Sequence, residues 1–549
     1  MYLIFKSMKL KWKSTLLALF IGGGLTFTSC SDKDVLGEQP NPVEPVEEGD
    51  AYLSFRMLSG LDIMLPTRAT EAGEDAENVV GEVLWVLYDE SDKVAYQEIL
   101  DAETNGVLGN PFTGNDVASS SDRASFIMKA KQVKAQDYQL LVVLNPTAEM
   151  KTATTVGSYL AAFDAAKTTS VDAVSNELQD CIRTKIVMSN ANGLVEVKKA
   201  LHMYETAAEA EAGTKPLVQV DRILAKVTLE MKPKAQMDYP NGGELVNAIW
   251  KLDITNKKTY WMRRKTYYAP ILAGAANSTN WIMENGTATD RSYFYAEDPN
   301  FDNFSIFRKG GTNNSSLLSE FDFETTGVIA DLTTTQALST LPTRQYALEN
   351  TMAAEDQWED VTTRILIRGN YIPGGFKDVA QTIPFANGDS YYFFGGTAVS
   401  FQQIKAWYDD MQNNNENFPW PTAPAGLKDQ VVKAVAGGFI DMNVAEGRAT
   451  SGSYEKLHFY KEGQSYYSAL IRHFDDTYSS NEGLAKGVMN FGRYGVVRNN
   501  VYKVTLTKIT GPGTPNIPEP EGPDDKEKEY LSTEIEVLPW VVRVQDLDL

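Results

Sequence analysis

Hydrophobic residues recur at every second position along much of this chain, and the first such run sets the pattern for the rest. Ala51, Leu53, Phe55, Met57, Leu61, Ile63 and Leu65 alternate with Tyr52, Ser54, Arg56, Gly60 and Asp62, with Leu58 and Met64 interrupting. Successive side chains of a strand point to opposite faces, so this spacing predicts a β-strand with one buried face. The run stops at Leu65-Pro66-Thr67-Arg68, and the acidic stretch Ala69–Glu77 follows it. A core strand that ends at an arginine in a soft loop is one that a protease can release. Residues 51–68 are therefore expected to be a releasable first strand.

The same signals predict strands at Val79–Tyr88 and, after a turn at Asp89–Lys93, at Val94–Leu100. Arg123–Met128 and Tyr138–Leu144 follow, the latter closed by Asn145-Pro146. Val156–Ala165 and Val171–Cys181 have helical spacing. Ile186–Met188, Leu194–Leu201 and Val218–Met231 return to strand character, and Lys232-Pro233-Lys234 marks a domain boundary. Beyond it, strands are expected at Ala248–Ile254, Thr259–Met262, Val361–Arg368, Ser390–Phe394, Lys456–Tyr460, Gln464–Ile471 and Val501–Ile509. Many short strands between turn clusters predict a mainly β fold of β-sandwich domains with a few short helices. The domains are expected at 69–233 and 234–510.

A Pro/Gly and acidic linker, 511–530, then leads to a last apolar stretch, 531–549. Leu531, Thr533, Ile535 and Val537 share one face. Pro539 shifts the register, and Trp540, Val542 and Val544 continue on even numbers. Proline is confined to sheet edges and bulges, so a pair of short strands is expected here.

The N-terminus changes the picture of where the chain goes. Lys9, Lys11 and Lys13 precede the apolar run Leu16–Phe27, too short to span a bilayer and built like a secretory signal. It ends in Phe27-Thr28-Ser29-Cys30, which resembles a bacterial lipobox, so Cys30 is the expected lipidation site and 1–30 the lipoprotein signal peptide. Residues 31–50, rich in Pro, Glu and Asp, read as a disordered tether. A single lipid holds a protein to a membrane reversibly.

Composition and charge narrow the function. At 549 residues the chain has room for two or three domains, and 43% hydrophobic with 11% aromatic residues fits packed β-structure. A formal charge of -22 argues against a nucleic-acid partner. Two cysteines make no disulfide framework, and Cys181 reads as a small buried hydrophobe. His202, His458 and His473 sit in no metal-ligand spacing, and nucleophile, phosphate-loop and CxxC motifs are missing. The loops at Asp298–Asn303 and Asp475–Glu482 carry oxygen ligands without an EF-hand pattern. Arg263-Arg264-Lys265 reads as a turn facing water. No catalytic, cofactor-binding or metal residue is assigned, and the chain is read as not an enzyme.

Gly495-Val-Val-Arg-Asn-Asn-Val-Tyr502, together with Glu536-Val-Leu-Pro-Trp540 and the ending Asp546-Leu-Asp-Leu549, resembles the lipoprotein fimbrillins of Bacteroidia-type Gram-negative bacteria. The likeness is to the Mfa-type minor fimbrium (pilus shaft) subunits. Tyr138–Leu144, Arg222–Val227, Ile249–Ile254 and Ile365–Gly369 add weaker matches. The resemblance implies two transthyretin-like β-sandwich domains and export as an outer-membrane lipoprotein. It further implies cleavage by an arginine-specific protease between Arg68 and Ala69, with loss of the first strand. A donor strand from 531–549 of another copy would fill the groove, giving a head-to-tail polymer in a surface fimbrium with accessory anchor and tip subunits. The linker is shorter than in those subunits. The alternatives are a tip or anchor subunit, or a non-polymerising surface lipoprotein adhesin. An adhesin would bind glycan or host protein through Trp261–Tyr268 and Phe418-Pro-Trp420.

Overall fold

The computed structural model describes residues 49–59, 71–101, 117–119, 125–178, 181–267, 294–301, 319–322, 336–337, 343–352, 357–378, 380–413, 424–473, 494–520 and 531–541. The described residues belong to one compact unit. Strands dominate, as the alternating pattern requires.

The first strand is two segments, Asp50–Leu53 (β1) and Arg56–Ser59 (β2), joined through Ser54 and Phe55. Glu71–Ala72 (β3), Glu82–Tyr88 (β4), Val94–Asp101 (β5), Val117–Ser119 (β6), Ser125–Met128 (β7), Lys131–Lys134 (β8) and Tyr138–Leu144 (β9) follow. Two short helices, Ala148–Ala153 (α1) and Leu160–Asp164 (α2), precede Met188–Asn190 (β10), Val195–Val197 (β11) and Met203–Tyr204 (β12). Ala207–Ala212 (α3) and Leu217–Arg222 (β13) complete this half. A nine-stranded sheet runs β5-β4-β9-β10-β13-β2-β7-β6, with β11 paired to β9 off that path, and a three-stranded sheet runs β12-β1-β8.

The two sheets enclose one core. Val83, Trp85 and Leu87 of β4, with Leu140 and Val142 of β9, meet Ala51, Leu53, Val133 and Met203 of the smaller sheet. The opposite face of β4 and β9, including Leu84, Val86 and Leu141, is also covered, by Met150, Phe163, Trp261 and Tyr346 among others. Burial on both faces explains why these strands read as nearly continuous apolar runs.

The second half begins with Leu224–Met231 (β14) and continues with Glu244–Asp253 (β15), Gln336–Ala337 (β16), Thr343–Leu348 (β17) and Arg364–Ile372 (β18). Next come Tyr391–Phe394 (β19), Thr397–Val399 (β20), Phe401–Gln412 (α4), Leu427–Ala436 (α5), Gly452–Tyr454 (β21), Leu457–Tyr460 (β22) and Gln464–Leu470 (β23). Asn500–Ile509 (β24) and Leu531–Val541 (β25) close the described chain. A five-stranded sheet, β17-β14-β24-β25-β3, packs on a four-stranded one, β16-β15-β18-β23, through Val227, Leu229, Trp250, Ile365, Ile367, Tyr467, Tyr502, Val504 and Leu506. Between β18 and β23 sits a lobe of its own, the sheet β20-β19-β22-β21 closed over by α4 and α5 around Tyr392, Ile404, Trp407, Val431 and Phe459.

Four sequence expectations change. Val218–Met231 is not one strand: it breaks at Ile223, and β13 and β14 join different sheets, so the change of sheet precedes Lys232. Val171–Cys181 is not a helix but a single 3₁₀ turn, Val171–Ala173, and a short ladder of Asn176–Glu177 with Arg183–Thr184. Ser, Asp and Asn compete there for backbone hydrogen bonds. The break at Pro539 is absent as well. β25 is one strand of 11 residues, and among the described residues its outer side carries a partner only at Trp540 and Val541, which makes the proline tolerable. Finally, α4 and α5 were not anticipated, although Ser400 and Gln403 form a capping box that signals the first of them.

Candidate functional site

β1 and β2 are threaded through the middle of the N-terminal half. β1 lies between β8 and β12, antiparallel to both, with Ala51 opposite Val133 and Leu53 opposite Lys131 and Met203. β2 lies between β7, antiparallel, and β13, parallel, with Arg56 opposite both Ile127 and Leu217. The changeover at Ser54 and Phe55 is held by hydrogen bonds. Ser54 Oγ donates to Met128 O at 2.6 Å, Met128 N–H to Phe55 O at 2.8 Å, and Arg56 N–H to Pro216 O at 2.9 Å. Ala51, Leu53, Phe55 and Met57 are each at most 1% exposed, and the Phe55 ring lies 5.4 Å from Trp85. Burying a Leu, Phe or Met is worth roughly 1.5–3 kcal/mol.

In the described sheets β8 and β12 are hydrogen-bonded to β1 and not to each other, and the β6–β7 pair joins its sheet only through β2. Loss of 50–59 would therefore leave a slot with apolar walls and open backbone edges on both sides. Leu61, Ile63, Leu65, Arg68 and Ala69 lie outside the described residues, as do Cys30 and residues 31–48 of the tether; Asp50, at the tether's end, begins β1.

The chain reappears at β3, on the sheet of the other half. The turn after it, Asp75–Asn78, lies at the end of the acidic stretch and is fixed by ionic and hydrogen-bond contacts. Glu77 is fully buried, sits 2.8 Å from Lys226 Nζ of β14, and accepts a hydrogen bond from the Tyr346 hydroxyl of β17. Burial, and secondarily Glu77, pushes the Tyr346 hydroxyl far above its ordinary range. Glu74 pairs with Arg344 at 2.6 Å, and Arg222 donates to Asn78 Oδ1 at 2.6 Å. Burial draws the Arg222 guanidinium down to about 10, against the opposing pull of Glu77. Arg68 thus falls between one segment inserted in the N-terminal sheets and another pinned to the C-terminal sheet. The available signal was Glu74-x-x-Glu77, which forms a capping box.

The other end of the candidate site is β25. It runs antiparallel to β24, with Leu531 opposite Ile509, Ile535 opposite Val504 and Val537 opposite Tyr502. Ile535 packs against the C-terminal core. Beyond Val537 the ladder to β24 ends at Pro539: Leu538 and Pro539 face Val501 and Asn500, and Trp540 and Val541 pair with β3. Val542 and Val544 lie outside the described residues. The Gly495–Tyr502 segment leading into β24 is a structural knot. Arg498 is buried against Glu349 at 3.2 Å and donates to Thr259 and Tyr260, while Tyr502 Oη accepts from Val497 N–H at 2.7 Å and meets His473 Nδ1 at 2.8 Å.

Among the described residues the three histidines do not come together. His202 accepts from Lys198 N–H, His458 pairs with Ser453, and His473 with Tyr502, three separate places in the fold. Burial holds the His202 imidazole below its usual value. Among the described residues no group of three or more His, Cys, Asp or Glu could hold a metal ion. Asp298 is buried and braces its own turn, accepting from the backbone of Asn300 and Thr351. Arg263 does not face water; it is 6% exposed and lies 3.4 Å from Asp221. Trp261, a candidate for the ligand platform, is core, with its ring 5.1 Å from Phe163. Phe418 and Trp420 lie outside the described residues. No helix among the described residues is long and apolar enough to cross a membrane.

Residues 458–546, which include β23, β24 and β25, match the family described as "Major fimbrial subunit protein type IV, Fimbrillin, C-terminal". The likeness to the fimbrillins is carried by this segment. It is 38% identical over 81 residues to the major fimbrium subunit FimA type-4 of Porphyromonas gingivalis, a match spanning 15% of this chain and 18% of that protein. A solved fimbrilin (FimA) from Porphyromonas gingivalis W83 overlays 90% of this chain and 98% of its own, at 16% identity and a TM-score of 0.39. The tip fimbrial protein Mfa3 of Porphyromonas gingivalis, truncated at its C-terminus, overlays 90% of this chain and all of its own, at 10% identity and a TM-score of 0.35.

Proposed function

We propose that this chain is a structural subunit of a surface fimbrium, exported as a lipoprotein on Cys30 and activated by cleavage after Arg68. The observation that carries the reading is the placement of Ala51–Met57. These residues are a removable insert at the centre of two sheets, and their departure creates a slot that only an extended apolar strand can fill. A strand from the 531–549 region of the next copy fills it by strand addition, which supplies ladder bonds and side chains together. The contact is head-to-tail and does not close on itself, so it grows a filament. The partners are other copies of the chain, anchor and tip subunits, the arginine-specific maturation protease and, before cleavage, outer-membrane lipid.

Brief trypsin treatment of the purified chain tests this reading. It is expected to cut first at Arg68 and to yield ladders that resist SDS. A chain that is cut there and stays monomeric would overturn it.

A further inference from the structure

The released strand is a template for its replacement, and the chain's own end contains one sequence that fits it. Four buried positions, 51, 53, 55 and 57, face the core, and position 54 is buried at the changeover, where a charged side chain has no place. Position 56 is half-buried and carries Arg56. Within 531–549, read in the same direction, a single alignment puts Val, Leu, Ile or aromatic residues on all four core positions. Leu538 falls on Ala51, Trp540 on Leu53, Val542 on Phe55 and Val544 on Met57. The same alignment sets uncharged Val541 on Ser54 and Arg543, the only arginine in that stretch, on Arg56. Starting the alignment at Leu531 instead puts Glu534 on the buried position 54.

The structure adds an independent reason to divide β25 at Val537. Its first part belongs to its own sheet: Leu531–Val537 pairs along β24, and Ile535 packs into the C-terminal core. Moving that part into a neighbour would uncover β24, exchanging one set of ladder bonds for another. The later part leaves β24: Leu538 and Pro539 still pair with Val501 and Asn500, and Trp540 and Val541 pair with β3 instead. β3 itself lies just past Arg68, so the cut that frees the first strand also frees the chain leading into that contact.

We propose that the slot takes Leu538–Val544 of a second copy, parallel to the strand it replaces and with Arg543 in the place of Arg56, while Leu531–Val537 stays on its own β24. The proposal rests on the fimbrium reading and assigns the register within it. Keeping the direction preserves the antiparallel ladders to β7, β8 and β12. Reversing it would set Pro539 on position 56, whose N–H donates to Pro216 O. In the forward register Pro539 falls on Tyr52, near the start of the strand. The core has to repack, because Leu538 and Trp540 are larger than Ala51 and Leu53, and Val542 and Val544 are smaller than Phe55 and Met57. The exchange also gives up the hydrogen bond from Ser54 to Met128 O.

Cross-strand disulfides read the register directly. Leu58 lies opposite Ser125 in the present structure. Because Arg56 N–H turns away from β7, positions 56 and 58 are non-hydrogen-bonded partners of β7, whose Cβ atoms approach closely. On a Cys181→Ser background, Ser125→Cys is combined with Gln545→Cys, Val537→Cys or Leu538→Cys. Each full-length chain is cut with trypsin, assembled and oxidised, and intersubunit bonds are read on non-reducing gels. Gln545→Cys occupies the position of Leu58 in the proposed register and is expected to cross-link about tenfold more than the other two, whose Cα atoms fall beyond disulfide reach. Dominant cross-linking at Val537 (the reversed strand) or Leu538 (the alignment from Leu531), or ladders with no cross-link in any arm, overturns the register and leaves the fimbrium reading standing. Absence of ladders from the unsubstituted cut chain overturns both.

Discussion

Glu77 shows what a single residue contributes to holding the two ends of the cleavage loop apart. It is fully buried, and its carboxylate satisfies both Lys226, itself 5% exposed, and the Tyr346 hydroxyl. Truncating one partner of a buried ion pair strands the other charge, which typically costs about 3–5 kcal/mol, far more than a surface pair. Glu77→Ala is therefore expected to lower unfolding stability by that order in urea titration. Glu74→Ala, at the half-buried Arg344 pair, should lower it by less, because solvent still reaches the charges it leaves unpaired. Equal effects of the two substitutions would mean that Glu77 is not the anchor. From sequence, Glu77 was indistinguishable from its acidic neighbours, because its partners come from β14 and β17, far along the chain.

At the scale of elements, alternation located most of the longer strands but not their partners, and it missed Lys131–Lys134, Met203–Tyr204 and Thr343–Leu348. Tyr138–Leu144, Arg364–Ile372 and Asn500–Ile509 were legible because period two survives whatever sheet the strand joins. The changes of sheet at Ser54-Phe55 and at Ile223 were not, since a strand that crosses between packed sheets keeps its apolar rhythm. The helical lobe was missed for a related reason: only Ile404 and Trp407 of α4 are buried, too few to mark a helical face. The threaded first strand carries its own prediction. Once 50–59 has left, the amides of Ser125–Met128 lose β2 and those of Lys131–Lys134 lose β1, while Glu82–Tyr88 keeps both of its neighbours. Hydrogen exchange after cleavage, measured before assembly completes, is expected to rise sharply in 125–134 and little in 82–88. Uniform protection across both would show that the strand remains bound.

For the whole molecule, the first strand reads as an internal ligand that competes with the incoming one. In the proposed scheme both would occupy the same slot, and while covalently attached the first strand would be present at a high effective concentration, which would keep an intact chain monomeric. In that scheme, cleavage at Arg68 would remove that advantage without changing any contact inside the groove. A chain begun at Ala69 should therefore self-associate without any protease. Sedimentation velocity is expected to show a broad, concentration-dependent distribution for it, beside a single monomer boundary for the intact chain. Adding a synthetic peptide of Ala51–Leu65 in excess should return the short chain toward monomer by mass action. The same peptide with Phe55→Ala should do so poorly, since the ring against Trp85 contributes a truncation cost of about 3–5 kcal/mol. A short chain that remains monodisperse without peptide would mean that the groove closes on itself, and strand competition would then not be the control on assembly.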